Sequence, residues 1–349
     1  MSMKNNRLLY LLIIILAIWC AFLSLRLNQS EKEENTAIIN QYEVDGFSTD
    51  LTKIVDEVKS GVVTINADGN ILSGFVYRQE DDSVYILSAY HGVSNVNSIS
   101  VRFGTSYSVA GELIGHDIYT DLALIRIKTP YLIEPLKLAD ASLLKQGEFV
   151  ISIGTPVSLD LQGSVELSLI SKNNFQIENS ILVDEERYSY FLNVIQLGSG
   201  LAAGYSGSPL INMNGEVVGM TTMSTQGVTS FALTINEARI IADQLISSET
   251  FSRNFFGIKG AYLNEMFNYE KANLNIALDT LNGFYVERVR ENSSAYAAGL
   301  RPGDVIVKIN NVEISDLNSY LNAVYGEEEG ISFEYIRGGE TITASPADD

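Results

Sequence analysis

At 349 residues with 46% apolar side chains, the chain is long enough for two or three separate hydrophobic cores. Its 43 acidic residues against 23 basic ones give a net charge of −20, which repels phosphate backbones and argues against a nucleic-acid partner. The one cysteine, Cys20, lies in the N-terminal apolar run, so the remainder can hold no internal disulfide. Any imidazole chemistry must use one of two histidines, His91 or His116.

Residues 8–25, LLYLLIIILAIWCAFLSL, form an 18-residue uncharged stretch, about 27 Å long as a helix and close to the thickness of a bilayer core. No small-x-small site follows it, and Trp19 stands before Cys20 where a lipoprotein signal needs a small residue. The run is therefore expected to stay as a transmembrane anchor within residues 1–27, not to be removed as a signal peptide. Lys4 and Arg7 precede it, which favours a cytoplasmic N-terminus and places the rest outside. Residues 28–48 are polar and read as a linker. Leu51, Ile54, Val55 and Val58 then repeat at helical spacing and predict a short helix over 50–59.

From Gly61 the pattern changes to short apolar runs broken by Gly, Asn and Asp: VVTINADGN, ILSGFVYRQEDD, SVYILSAYHG, ISVRFGTSYS, AGELIGHD, DLALIRIKTP. A second set follows, including FVISIGTP, SVELSLIS, SYFLNVIQL, SPLINMNGEVVGMTT and TSFALTI. Strands of this length and spacing predict an all-β barrel or sandwich. Asn214-Gly215 predicts a type I′ hairpin turn. Residues 236–249 are the clearest helix, with Ile240, Ile241, Leu245 and Ile246 on one face, and residues 254–345 mix strands with two short helices.

Three stretches carry chemistry. His91 ends an apolar strand (ILSAYH), Asp121 begins another (TDLALIRI), and Ser206 sits in a Gly-rich turn (GYSGSPL). A serine hydroxyl becomes a nucleophile when an imidazole takes its proton, and a carboxylate must hold that imidazole's tautomer. Backbone N–H groups of the turn, assigned to Gly204 and Ser206, would stabilise an oxyanion. An α/β-hydrolase needs its histidine after the serine, and none exists beyond His116. The order His, Asp, Ser among β-strands is the chymotrypsin-like one. Asp117 is the rival carboxylate, His116 reads as a solvated turn residue, and two histidines without a clustered carboxylate or thiol set make no case for a metal or a cofactor.

On these stretches the sequence resembles the HtrA family of bacterial serine proteases, over about residues 50–345. The family's T-x-x-H-V, T-D-L-A and G-N-S-G-G patterns correspond to the surroundings of His91, Asp121 and Ser206. Ile195-Gln196 and Phe231-Ala232 resemble further landmarks. Tyr205, Ser208, Leu197-Gly198 and Gly92 depart from the pattern, and Tyr205 could alter either the oxyanion turn or the substrate subsites. The resemblance implies a mainly β architecture: a chymotrypsin-like double β-barrel protease domain (49–250), then a PDZ domain (α+β, 251–349), behind the transmembrane helix. Phe255-Phe256-Gly257-Ile258 is similar to a PDZ carboxylate-binding loop, where Gly257 permits close backbone approach and a peptide C-terminus adds as a strand beside 258–263. Leu317, Tyr320, Leu321 and Val324 would face it. The family further implies protein or peptide substrates, C-terminal peptides at the PDZ domain, a homotrimer, and an inner-membrane protein facing the periplasm. The alternative is an inactive PDZ scaffold or chaperone, motivated by the departures around Ser206.

Overall fold

The computed structural model describes residues 19–21, 23–24, 47–183, 186–225, 229–248, 253, 256–325 and 331–346. Most of the apolar run at 8–25 lies outside them, and no helix of the described residues is long and apolar enough to cross a membrane. Met1–Lys53 and Ile54–Asp349 form two compact units. Helix α1 spans Phe47–Val58, as the spacing of its apolar residues predicts.

Two closed antiparallel barrels follow. The first contains β1 (Val62–Ala67), β2 (Asn70–Glu80), β3 (Ser83–Ala89), β4 (Ile99–Phe103), β5 (Tyr107–Asp117) and β6 (Leu122–Lys128), in the order β1-β2-β3-β6-β5-β4. Alternate residues point inward, so Val63, Ile65 and Ala67 of β1 meet Ile86 of β3 and Ala123, Ile125 and Ile127 of β6 in one dry cluster. Each valine or isoleucine among them contributes roughly 1.5–3 kcal/mol by leaving water.

The second barrel contains β7 (Phe149–Gly154), β8 (Ser164–Val183), β9 (Glu186–Leu197), β10 (Pro209–Asn212), β11 (Val217–Thr225) and β12 (Thr229–Thr234), ordered β10-β11-β12-β9-β8-β7. Strands β8 and β9 are much longer than the apolar runs SVELSLIS and SYFLNVIQL predict, because their polar extensions pair with one another from Phe175↔Val194 out to Val183↔Glu186. The β10–β11 connection is also not the expected type I′ turn. Gly215 alone has a positive φ (76°), Asn212 Oδ1 caps the N–H groups of Asn214 and Glu216, and a bulge follows Leu210. The result is a three-residue loop with its glycine in the left-handed position.

Helix α2 (Ile235–Ser248) buries Ala238, Ile241, Ala242 and Leu245, and Leu245 packs on Gly115 of β5, so this helix of the C-terminal side also touches the first barrel. Beyond it, β13 (Ile258–Tyr262), β14 (Phe284–Val289), β15 (Val305–Ile309), β16 (Val312–Glu313), β17 (Phe333–Arg337) and β18 (Glu340–Ala344) form one sheet with β13 at its edge. Among the described residues three helices accompany it, one more than the sequence predicts: α3 (Asn268–Asn273), α4 (Ser294–Ala297) and α5 (Leu317–Val324). Asp316 caps α5 by accepting the Ser319 N–H, and Leu317, Tyr320, Leu321 and Val324 fall on its buried face as the spacing predicts.

Candidate active site

Strand pairing brings His91 and Asp121 together. Ala89 of β3 is opposite Leu122 of β6, so the next residue, Tyr90, donates its N–H to the Asp121 carbonyl at 2.9 Å. Asp121 takes a left-handed φ of 61°, a conformation that a short polar side chain tolerates, and its carboxylate folds back over the following turn. Oδ1 accepts the His91 backbone N–H at 2.7 Å, and Oδ2 lies 2.7 Å from His91 Nδ1. With Nδ1–H donating to the carboxylate, the lone pair is on Nε2, as a general base requires. The hydrogen bond to Asp121 raises the His91 pKa above its ordinary 6.5, against a smaller lowering by burial. A Cβ on Gly92 would come 2.2 Å from Leu72, which accounts for glycine after the histidine.

Ser206 lies in the turn between β9 and β10, and that turn abuts the end of β3. A Cβ on Gly207 (φ 83°) would meet Ser73 O at 2.3 Å, Ser88 Oγ at 2.6 Å and Ala89 N at 2.7 Å, so only glycine allows this approach. The Gly204 and Ser206 N–H groups donate to no group among the described residues, whereas Tyr205 N–H is taken by Ala202 and Gly207 N–H by Thr221. Both donors expected from the sequence are therefore open among the described residues. Ser206 Oγ and His91 are not hydrogen-bonded to each other here, and such contacts commonly tighten only in a substrate complex.

The departures near Ser206 point inward. Tyr205 is 1% exposed and packs under Gly154, so it forms no wall of a substrate subsite. Burial pushes its hydroxyl pKa up to about 12, with a smaller push from Glu166, and that hydroxyl has no hydrogen-bond partner. Ser208 is fully buried and lies 2.9 Å from Thr221 Oγ1. Asp117, the rival carboxylate, is buried away from His91; it accepts from Thr120 Oγ1 at 2.6 Å and pairs with Arg253 at 2.7 Å. His116 lies in β5, not in a turn, and stacks on the Tyr90 ring at 3.8 Å. The landmark stretches pair directly across β9 and β12, Gln196 with Phe231 and Ile195 with Ala232.

Sequence reading missed Ser73. This buried residue of β2 accepts the Thr155 N–H (2.9 Å) through Oγ and donates Oγ–H to Gly204 O (2.7 Å). Its N–H donates to Ser206 O (3.0 Å). One residue of the first barrel thus braces the serine turn of the second. The available signal was a serine inside the apolar strand ILSGFVY, where a buried hydroxyl needs a partner.

At the C-terminal sheet, Phe255 lies outside the described residues. Phe256 and Ile258 are buried, and Gly257 has φ 69° with Ser293 Cβ only 2.3 Å from a would-be Cβ. These three residues line a cavity of about 660 Å³ with Leu321 and Val324 of α5, facing Tyr190 and Leu192 of β9. The β8–β9 hairpin reaches this sheet: Gln176 Oε1 accepts the Gly260 N–H at 2.9 Å on the free edge of β13, and Glu178 pairs with Arg288 at 2.8 Å. On the cavity's wall, Arg253 joins Asp117 and Glu237 and donates to the Tyr325 hydroxyl, all four side chains being largely buried. Burial raises the Glu237 pKa, with Arg253 opposing it.

Comparison with known proteins follows this division. Residues 72–220 match the trypsin-like peptidase domain family and residues 285–331 the PDZ domain family. The serine protease Do-like HtrB of Bacillus subtilis is 28% identical over 90% of this chain and 76% of its own length. The serine protease Do-like HtrA of the same organism is 28% identical over 78% of this chain, which spans only 62% of that relative. Among solved structures, the HtrA-type protease AlgW with tripeptide shares the fold at a TM-score of 0.59, with 22% identity and 84% of this chain and 95% of that one covered. The serine endoprotease from Yersinia pestis gives 0.54, with 22% identity over 87% and 98%. A peptidase region followed by one PDZ region, related along most of its length to HtrA and HtrB proteases, makes the chain a serine endopeptidase of the HtrA family.

Proposed function

We propose that the chain is a membrane-anchored, extracytoplasmic endopeptidase of the DegS type, in which Ser206 is the nucleophile, His91 its general base and Asp121 the carboxylate that orients the base. The observation that carries this reading is the His91–Asp121 pair, closed by two hydrogen bonds of 2.7 Å, beside a serine turn with two open N–H groups at Gly204 and Ser206. His91 takes the Ser206 proton as Oγ attacks the scissile carbonyl, and the two N–H groups receive the resulting oxyanion. His91 then gives the proton to the leaving amine as the C–N bond breaks, and it next deprotonates a water that hydrolyses the acyl-enzyme and returns the proton to Ser206.

In this reading the loop Phe255-Phe256-Gly257-Ile258 binds the free carboxylate of a peptide ending in an apolar residue, with the last side chain between Ile258 and α5. Bound peptides regulate cleavage of misfolded or membrane-bound regulatory proteins. The apolar run at 8–25 anchors a homotrimer in the inner membrane, with the peptidase and PDZ regions on its outer face. Fluorophosphonate labelling of the full-length chain tests the core of the proposal. Labelling and peptide cleavage are expected in the wild type and absent in Ser206→Ala; a Ser206→Ala chain that still cleaves would overturn the assignment.

A further inference from the structure

The carbonyls of residues 203–206, on either side of the proposed oxyanion donors, are each held. Ala203 O accepts from Val157 N–H at 3.0 Å, Gly204 O from Ser73 Oγ at 2.7 Å, and Ser206 O from Ser73 N–H at 3.0 Å. Tyr205 O accepts from Ser208 N–H at 2.8 Å and from Thr221 Oγ1 at 2.5 Å. A trans peptide group is planar, with its N–H opposite its C=O. The Ser206 N–H shares a plane with the Tyr205 carbonyl, so whatever grips that carbonyl aims that N–H.

Thr221 of β11 is 3% exposed and is tied to the turn three further ways. Its N–H donates to Ser208 O at 3.0 Å, its carbonyl accepts the Gly207 N–H at 2.7 Å, and Ser208 Oγ lies 2.9 Å from its own Oγ1. A threonine hydroxyl has one proton. With that proton on the Tyr205 carbonyl, Ser208 Oγ–H is the donor for the 2.9 Å contact to Thr221 Oγ1, which is shorter than its 3.4 Å contact with Ser152 Oγ. The chain therefore runs Ser208 to Thr221 to the Tyr205 carbonyl, each bond polarising the next.

We infer that Thr221 is a positioning residue for the oxyanion site: its hydroxyl orients the Tyr205–Ser206 peptide so that the Ser206 N–H faces the reacting carbonyl. The inference rests on Ser206 as the nucleophile. It gives Ser208, one of the departures from the family pattern, a use as the donor that completes the chain.

The test uses the full-length chain in detergent, with a peptide substrate and the matching peptide aldehyde, whose adduct with serine carries an oxyanion. Thr221→Val keeps the shape and removes the donor; Thr221→Ser keeps the donor. Thr221→Val is expected to lower kcat about 10-fold, to leave KM within about twofold, and to weaken aldehyde binding by the same factor as kcat. Thr221→Ser is expected to stay within about twofold of wild type. Wild-type kcat and aldehyde affinity in Thr221→Val, or a loss that Thr221→Ser shares, would overturn the inference. If Thr221→Val does not fold, Thr221→Cys replaces it, since a thiol is a weaker donor in nearly the same volume; intermediate kcat supports the inference and full kcat overturns it. A wild-type chain that neither cleaves peptide nor labels at Ser206 overturns the catalytic reading and this inference together, whereas an active wild type with an equally active Thr221→Val overturns this inference alone.

Discussion

His91 sets the pH response. The general base must be neutral to accept the serine proton, and the hydrogen bond to Asp121 raises its pKa above 6.5. The protonated fraction at a given pH is therefore larger than for a free imidazole. The acid limb of kcat/KM is expected above pH 6.5, and a profile that keeps full activity through pH 6 would contradict His91 as the base. The same raised pKa makes protonated His91 favour the folded state, a contribution present below the unfolded pKa and lost as pH rises through the folded one. Tyr205 gives a second prediction. Its buried hydroxyl has no partner, so Tyr205→Phe is expected to keep stability or add up to about 1 kcal/mol, while Tyr205→Ala should cost about 3–5 kcal/mol in denaturant unfolding. Residue types and chain order singled out His91, Asp121 and Ser206, and the structure brings His91 and Asp121 into direct contact. Ser73 and Thr221 were not legible in the sequence, because a buried hydroxyl is informative only once its partners, 131 residues away for Ser73 and Gly204, are known.

Elements, in turn, were readable wherever burial imposed a period. Helix α5 and the strands of the first barrel match their apolar spacing, since one face of each meets a core, whereas α2 matches in part: Ile241 and Leu245 are buried with Ala238 and Ala242, and Ile240 and Ile246 only half-buried. The ends of β8 and β9 were not readable, because KNNFQIENS looks like a loop until the hairpin pairs with itself and lies against the C-terminal sheet. That contact leads to a prediction. Gln176 Oε1 occupies the Gly260 N–H, the donor that a peptide strand added to β13 would need. Gln176→Ala is expected to tighten binding of a peptide with a free C-terminal carboxylate by about fivefold, the worth of about one net hydrogen bond, in fluorescence anisotropy titrations. Unchanged affinity would show that the peptide does not use that edge. The loop after β7 offers a stability test. Val157 is 72% exposed yet has φ 59°, which costs a β-branched residue roughly 1–2 kcal/mol. Val157→Asn should recover about 1 kcal/mol of this in denaturant unfolding, and no gain would show that the strain is relieved elsewhere.

For the molecule beyond residue 54, the buried Arg253 group joins what would otherwise be separate parts. Asp117 comes from β5, Glu237 from α2 and Tyr325 follows α5, so one guanidinium connects the first barrel and helix α2 to the PDZ region. Two buried carboxyl groups share that cation, so Arg253→Leu should destabilise by about 3–5 kcal/mol and split a single calorimetric transition into two. One transition at an unchanged temperature would mean that the group does not couple the parts. The division of the proposed catalytic residues between the barrels has another consequence. His91 and Asp121 come from the first barrel, while Ser206 comes from the second and is braced by Ser73 of the first. Neither barrel holds a complete site, so a chain still being synthesised has no working hydrolase. Under the proposed mechanism, competence would arrive only when the second barrel packs against the first. This order of emergence delays self-digestion until the enzyme is whole.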